Sequence, residues 1–349
     1  MRRKIIWTLA GCLVSLCIII FLQANYLHRS ANKRQFLRLV PPHILGAKQT
    51  IDLKYNTFYF AGKNDSSIIL GNYTAPGYLL VVSNNLKDSQ AIQVPLHTER
   101  HHLPYPVKAI ASSNYFIFYS LLSNKIVKTN ATTLATELKQ LSTSTGIDGI
   151  TLMDDENILI KTYDTLKEQR ILSIASLTDK EIVYKYWPEP ISEGVYSTNG
   201  TFLVDRDNNR IFYILDYRSQ ITVLNTKLEP LTAIKTIEGT ANSQIYFTID
   251  SSMERKSIWA SERGIHANAI IADEYLLVHS SLTAKNEPIT IGKSYWIIDA
   301  YNSGNGNYTF SFYVPFENGE KPIDFIYSSG SLYVLYGNCI TKYDVSFPN

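Results

Sequence analysis

Short aromatic-aliphatic runs bounded by turn residues, a recurrence of that theme roughly every fifty residues, and the absence of long helical periodicity predict an all-β fold, a six-bladed β-propeller. The first observation is partly compositional. Aromatic residues make up 12% of the 349, 24 residues are tyrosine, and Ile, Val and Thr, which pack well on a pleated surface, are abundant. From Gln49 onward the apolar runs are short and stop at Asn, Asp, Gly or Ser, as strands stop at turns. ATTLATELKQL, 131–141, comes nearest to a helical pattern and reads equally well as an outer strand. The copies are FYFAGKNDSSIILGNYT, YFIFYSLLSNKIVKTN, ILIKTYDTLKEQRILSIA, IFYILDYRSQITVLNT, YLLVHSSLTAKNEPITIGKSYWIIDA and LYVLYGNCITKYDV. Register marks at Ser67, Tyr115, Ile158, Ile211, Tyr275 and Leu332 lie 48, 43, 53, 64 and 57 residues apart, room for four short strands each. One such sheet buries neither face alone, whereas radial stacking covers both. The last copy ends one strand short, and the unassigned strand-like piece is QTIDLK, 49–54. It is expected to pair outside 339–345 and close the ring with an N-terminal strand.

At the amino terminus Arg2, Arg3 and Lys4 precede an uncharged run, IIWTLAGCLVSLCIIIFL, residues 5–22. As a helix this run reaches roughly 27 Å, close to the thickness of a bilayer's hydrocarbon core. The expectation is a cytoplasmic tail at 1–4, a single transmembrane helix at 5–22, a stalk or linker at 23–48 containing Pro41-Pro42, and the propeller domain at 49–349. Two alternatives stay open. TLAGC fits the box that precedes a lipidated cysteine, with Cys12 as acceptor, although the apolar run continues past it. Signal peptidase would have only Leu22-Gln23-Ala24 to cleave, which would release a secreted or periplasmic protein. Arg29, Lys33, Arg34 and Arg38 nearly balance the basic tail under the positive-inside rule. A short tail before a large domain then places the tail in the cytoplasm and the bulk in the periplasm of a bacterium, held at the inner membrane.

The formal net charge is +2, and setting aside Arg2, Arg3, Lys4 and Arg29 leaves 29 basic against 31 acidic residues, which offers nucleic acid no footprint. Cys12 and Cys17 fall in the apolar run, so Cys339 stands alone in the folded part and no internal disulfide is expected there. The chain holds no Gly-x-Ser-x-Gly elbow, no phosphate-cradling glycine loop and no CxxC pair, which removes the commonest hydrolase, nucleotide and redox chemistries.

DRDNNRIFYILD, 205–216, spaces oxygen side chains as a calcium loop does, yet has Arg210 where that loop needs glycine. DRDNN also stands where other copies carry KNDS, MDDEN and SSG, so it reads as a turn. A propeller's central channel is lined by its innermost strands and the loops entering them. Asp148, Asp205, Asp273, His266 and Asp324 are the candidates to line it, where gathered carboxylates could bind a cation or run acid–base chemistry. In HTERHH, 97–102, strand alternation would put His97, Glu99 and His101 on one face as a second metal candidate, while its place before LPYP suits a solvated loop. Neither pattern fixes a metal, and no cofactor is expected. Trp187 and Trp296 read as core, and Trp259 lies in a stretch that departs from the repeat.

The repeats and the anchor together resemble the six-bladed β-propeller proteins of the TolB-like and related groups. They are most similar to the membrane-anchored propellers of Bacteroidota, which have no assigned function. YFAGKNDSSIILGNYTAPGYLL, IDGI, KNEP and FSFYV prompt the comparison, which covers about 49–347. The Ser-Pro-Asp-Gly turn of TolB, the Trp-Asp pair and the Gly-Gly of kelch repeats are missing, so the resemblance implies architecture and transfers no catalytic residue. It points to a binding or scaffold module rather than an enzyme, engaging a membrane protein or a small molecule through one propeller face. A metal-dependent, lactonase-like hydrolase using channel carboxylates and a structural subunit of an inner-membrane assembly are the alternatives.

Overall fold

A computed structural model describes residues 13, 15–21, 36–96, 103–191, 194–239, 245–250, 255–261 and 265–348. Residues 15–21 are helical, and among the described residues no helix is long and apolar enough to cross a membrane. From Leu45 the chain is nearly all strand. β1 (Leu45–Asp52) precedes a first sheet of β2 (Phe58–Lys63), β3 (Ser67–Asn72), β4 (Tyr78–Ser83) and β5 (Ser89–Gln93). The second, joined to the first edge to edge by a single parallel pairing of β2 with β6, holds β6 (Val107–Ala111), β7 (Tyr115–Ser120), β8 (Lys125–Asn130) and β9 (Thr136–Gln140), so the ambiguous 131–141 stretch supplies an outer strand. The third is β10 (Gly149–Leu152), β11 (Asn157–Asp164), β12 (Gln169–Ser176) and β13 (Ile182–Tyr186). The fourth is β14 (Gly200–Asp205), β15 (Arg210–Leu215), β16 (Gln220–Asn225) and β17 (Pro230–Lys235). A separate hairpin, β18 (Ile245–Asp250) and β19 (Arg255–Ser261), intervenes before the fifth sheet of β20 (His266–Ala272), β21 (Tyr275–Ser280), β22 (Tyr295–Asn302) and β23 (Tyr308–Pro315). The last sheet joins β24 (Asp324–Ser328), β25 (Ser331–Leu335) and β26 (Cys339–Val345) to β1.

β1 lies antiparallel outside β26, with Gln49 opposite Lys342 and Ile51 opposite Ile340. The strand starts at Leu45 rather than Gln49 because a register irregularity lets its first residue pair with Val345. The first strands of the four-stranded sheets touch in cyclic order: β2 to β6, β10, β14, β20, β24 and back to β2. A hydrophobic cluster fills each space between neighbouring sheets. Ile117 and Ile126 meet Ile158 and Ile160, for example, and Ile68 and Leu70 of the first sheet meet Tyr333 and Leu335 of the last. Each fully buried aliphatic or aromatic side chain stabilises the fold by about 1.5–3 kcal/mol. Backbones approach closely at Gly62, where β2 meets β6 in parallel and an added Cβ would fall 2.2 Å from the Ala111 carbonyl oxygen.

Antiparallel pairing divides the connections between two faces. On the entry face, where the innermost strands begin, lie the turns from second to third strand and the crossings to the next sheet. On the exit face lie the first-to-second and third-to-fourth turns. The segment before β1, expected as part of a linker, is docked on the sheets from Phe36 onward. Lys285 N donates to Phe36 O (2.9 Å), Ser311 N to Leu39 O (2.7 Å) and Ser346 N to Ile44 O (3.0 Å), which carries the chain along β23 to β26. Trp296 is half-buried on Phe325, but Trp187 is 36% exposed and lies in the crossing after β13 rather than in the core. The side chain of Trp259 lies outside the described residues.

Candidate functional site

Polar side chains gather at the entry ends of the innermost strands. Asp148 precedes β10, its amide donating to Lys161 O (2.8 Å), and its carboxylate faces Arg170 Nη1 at 3.2 Å and Lys161 Nζ at 3.6 Å. Lys161 also donates to Asn199 Oδ1 and Gly200 O, both at 2.8 Å, and Asn199 Nδ2 donates to Asp216 Oδ2 at 2.7 Å. Burial lowers the Lys161 ammonium against the pull of Asp148 and Asp216, and raises the Asp216 carboxyl against Lys161 and Asn199. Two oppositely charged groups, each pushed toward its neutral form, share one amide between them.

Across the entry end, Asp324 opens β24. Burial pushes its carboxyl up to about 6, opposed by the Phe325 amide at 2.8 Å and by Lys108. Asn268 Nδ2 lies 3.3 Å from its Oδ1, and the Lys108 ammonium sits 5.4 Å from the centre of the Tyr73 ring. A carboxyl titrating near neutrality beside an amide and a lysine is equipped to hold a polar ligand or exchange a proton with one.

Behind these groups, between the fourth and fifth sheets, Arg38 reaches inward from the stalk with a side chain 0% exposed. Its Nε and Nη2 fork onto Asp299 at 2.7 and 3.0 Å, Nη1 donates to Glu287 Oε2 (2.8 Å) and Leu282 O (2.9 Å), and Nη2 also reaches Ser280 Oγ (2.9 Å). All five guanidinium N–H donors are satisfied. Ser311 Oγ donates to Asp299 (2.5 Å), Tyr313 to Glu287 (2.8 Å) and Ser280 Oγ to Glu238 Oε1 (2.7 Å). Glu238 Oε2 faces His266 Nε2 at 3.8 Å, an ion-pair distance too long for a hydrogen bond, and His266 Nδ1 lies 3.2 Å from Leu215 O. Burial works to raise the Glu238 carboxyl, but His266, Thr236 and Ser280 outweigh it and hold it at about 2. Burial opposes protonation of His266, yet Glu238 raises it. Nearby, His279 stacks on Trp296 with ring centres 4.1 Å apart, and burial followed by repulsion from His266 lowers it to about 4.

The five channel candidates divide between the two faces. Asp148, His266 and Asp324 stand at the entry ends of β10, β20 and β24, while Asp205 and Asp273 stand at the exit ends of β14 and β20. A strand of six or seven residues separates those ends by about 20 Å. Asp205 accepts from Asn208 N (3.2 Å) and pairs with Arg210 Nη2 (3.0 Å), capping its own turn. It also borders an open cleft of 740 Å³ with Asp154, Asp155 and Arg206. Asp273 accepts a hydrogen bond from Tyr327 OH. Among the described residues no three His, Cys, Asp or Glu side chains gather as a metal-ligand group. His97, Glu99 and His101 lie outside the described residues. Sequence reasoning missed Arg38, Glu238, Glu287, Asp299 and Lys161. The available signal was a single charge inside an apolar alternation, as in FLRLV, YWIIDAY and ILIKTY.

No family model matches the chain, and no curated protein matches it. Solved structures do. A member of the duf4221 family from Bacteroides vulgatus aligns with a TM-score of 0.57 and 12% identity, covering 90% of this chain and 99% of its own. A catalytically inactive virginiamycin B lyase from Staphylococcus aureus, solved with quinupristin, aligns with a TM-score of 0.51 and 12% identity, covering 86% of this chain and 99% of its own. These neighbours are β-propeller-like proteins, and at such identity the likeness carries the fold alone: the chain is a nearly all-β, propeller-like protein.

Proposed function

We propose that the chain is a six-bladed propeller, closed by β1 and tethered by residues 5–22 to a bacterial inner membrane, that binds a protein or small ligand at its entry face in the periplasm. The cyclic order of contacts, with a hydrophobic cluster between each neighbouring pair of sheets, supports the ring. The uncharged run at 5–22 behind a basic tail supports the tether.

One observation carries the binding site. At the entry end Asp324, Asn268 and Lys108 stand on one side of the channel and Asp148, Lys161 and Asp216 on the other, and burial pushes Asp324, Lys161 and Asp216 toward their neutral forms. Several polar side chains at the exit end, Asn64, Asp154 and Asp205 among them, fold back onto their own turns. Groups spent on capping hold nothing else; groups facing a channel mouth are open to a ligand carrying both hydrogen-bond donors and acceptors. A photo-crosslinking residue at Asn268, compared with one at Asn208 on the exit face, tests this in native membranes. Binding requires capture at 268 alone and its loss on Lys108→Ala; equal capture at both positions, or none, refutes it.

A further inference from the structure

Among the described residues, every exposed large apolar side chain in a connection between strands lies on the entry face. Leu166 is 95% exposed in the β11–β12 turn and Leu122 69% in the β7–β8 turn, and Trp187 and Ile191 in the crossing to β14, Ile289 and Ile323 continue the set. Of the leucines in the exit-face turns, Leu86, Leu177 and Leu228 are tucked in at 7%, 2% and 2%, and Leu134 is partly buried. A one-sided distribution of this kind marks a contact surface. Trp187 has the build of an interfacial residue, with its indole N–H donating to Asp164 Oδ2 (2.8 Å) and the Lys167 ammonium 4.0 Å from its ring centre.

The chain's own path selects what covers this face. Phe36 is held by Lys285 in the β21–β22 connection, so the chain arrives from residue 35 on the entry face. From Leu22, at the end of the uncharged run, to Phe36 the backbone spans at most about 50 Å even fully extended, so a chain anchored there keeps this face within reach of the bilayer. We infer that the entry face rests on the lipid surface, with Leu122, Leu166 and Trp187 at headgroup depth; this rests on the reading of residues 5–22 as an anchor. A channel mouth so placed would be fed from the membrane surface or laterally from the periplasm.

The test uses the full chain with its three cysteines replaced by serine, reconstituted in vesicles of phosphatidylethanolamine and phosphatidylglycerol. Single cysteines are introduced by Leu122→Cys or Leu166→Cys on the entry face and Asn208→Cys or Lys227→Cys on the exit face. All four sites are exposed, so folding is not at stake. An aqueous maleimide should react roughly tenfold more slowly at 122 and 166 than at 208 and 227 in vesicles, and at comparable rates when the same chain is in detergent. Equal rates in vesicles that float with the protein overturn the inference and leave the anchor standing. A chain that fails to float overturns the anchor and the inference together. Protection at 122 and 166 that persists in detergent assigns the face to a second copy, and protection confined to native membranes assigns it to a protein partner; either result overturns the lipid contact.

Discussion

Replacing Arg38 by methionine keeps most of the side-chain volume and removes the guanidinium from Asp299, Glu287 and Glu238, leaving His266 beside Glu238 as the remaining counter-charge. The guanidinium loses five hydrogen bonds, two of them a fork onto Asp299. The loss that matters falls on the partners: Asp299 keeps only Ser311, and Glu287 keeps Tyr313 and the Ala284 amide. Breaking a buried pair from one side costs about 3–5 kcal/mol because the surviving charge is left uncompensated. At about 2 °C per kcal/mol for a domain of this size, Arg38→Met should lower the midpoint of thermal unfolding by about 6–10 °C. Pairing it with Asp299→Leu should recover part of the loss, giving a coupling energy of about 1 kcal/mol or more in a double-mutant cycle. Arg38→Lys, which keeps the charge and loses the fork, should fall between. Denaturant unfolding of the wild type and the four variants measures this. An Arg38→Met loss below about 1 kcal/mol, or strictly additive mutants, would refute the Arg38–Asp299–Glu287 cluster as an energetic unit.

His266 and Glu238 make stability depend on pH from both sides. The lowered Glu238 contributes stability that is present above the ordinary carboxyl range and lost as pH falls through about 2, and the raised His266 contributes stability that is complete below about 6.5 and lost as pH rises through its raised value. His266→Gln should therefore destabilise more at about pH 5.5 than at about pH 9, with denaturation midpoints at the two values as the check. Asp324 runs the other way: its carboxyl, raised to about 6, makes stability fall as pH climbs from about 4 to 6. Asp324→Asn should gain about 1 kcal/mol or more at about pH 8 and nothing at about pH 4, solvent screening having reduced the full linkage value. Gly62→Ala should cost about 3 kcal/mol, because the new methyl meets the Ala111 carbonyl rather than a yielding side chain, and a loss under half that would show that the first two sheets separate freely.

The repeat was legible because of where its loudest strands sit. All six register marks fall on the second strand of their sheets: β3, β7, β11, β15, β21 and β25. That strand is flanked on both edges and covered on both faces, so YFIFYS in β7 and SLYVL in β25 are buried throughout. Outer strands are quiet for the converse reason: SQAIQ in β5 and PLTAIK in β17 are mostly exposed and carry little pattern. The longest step, 64 residues, contains the β18–β19 hairpin. Asp148 and Asp324 were legible as candidates because Asp148 stands just before β10 and Asp324 opens β24. Arg38 was missed because its partners lie 242 to 261 residues away, and a basic residue in a basic stalk gives no local sign of them.

The segment before β1 docks against the grain of the hydrophobic effect, and this explains how its register is set. Leu37 and Leu39 are 61% and 63% exposed while Arg38 between them is buried, so the alternation puts charge inward and hydrocarbon outward. Turning the segment over would bury two leucines, worth about 1.5–3 kcal/mol each at full burial, and would leave Asp299, Glu287 and Glu238 facing one another with His266 as their sole counter-charge. The carboxylates therefore exclude the inverted register more strongly than the leucines favour it. A slip of one residue in either direction meets the same penalty, since it also points Arg38 away. Residue 36 is thus fixed on the entry face by electrostatics buried in the fifth sheet. The same interaction that stabilises the fold sets which face the preceding chain leaves from.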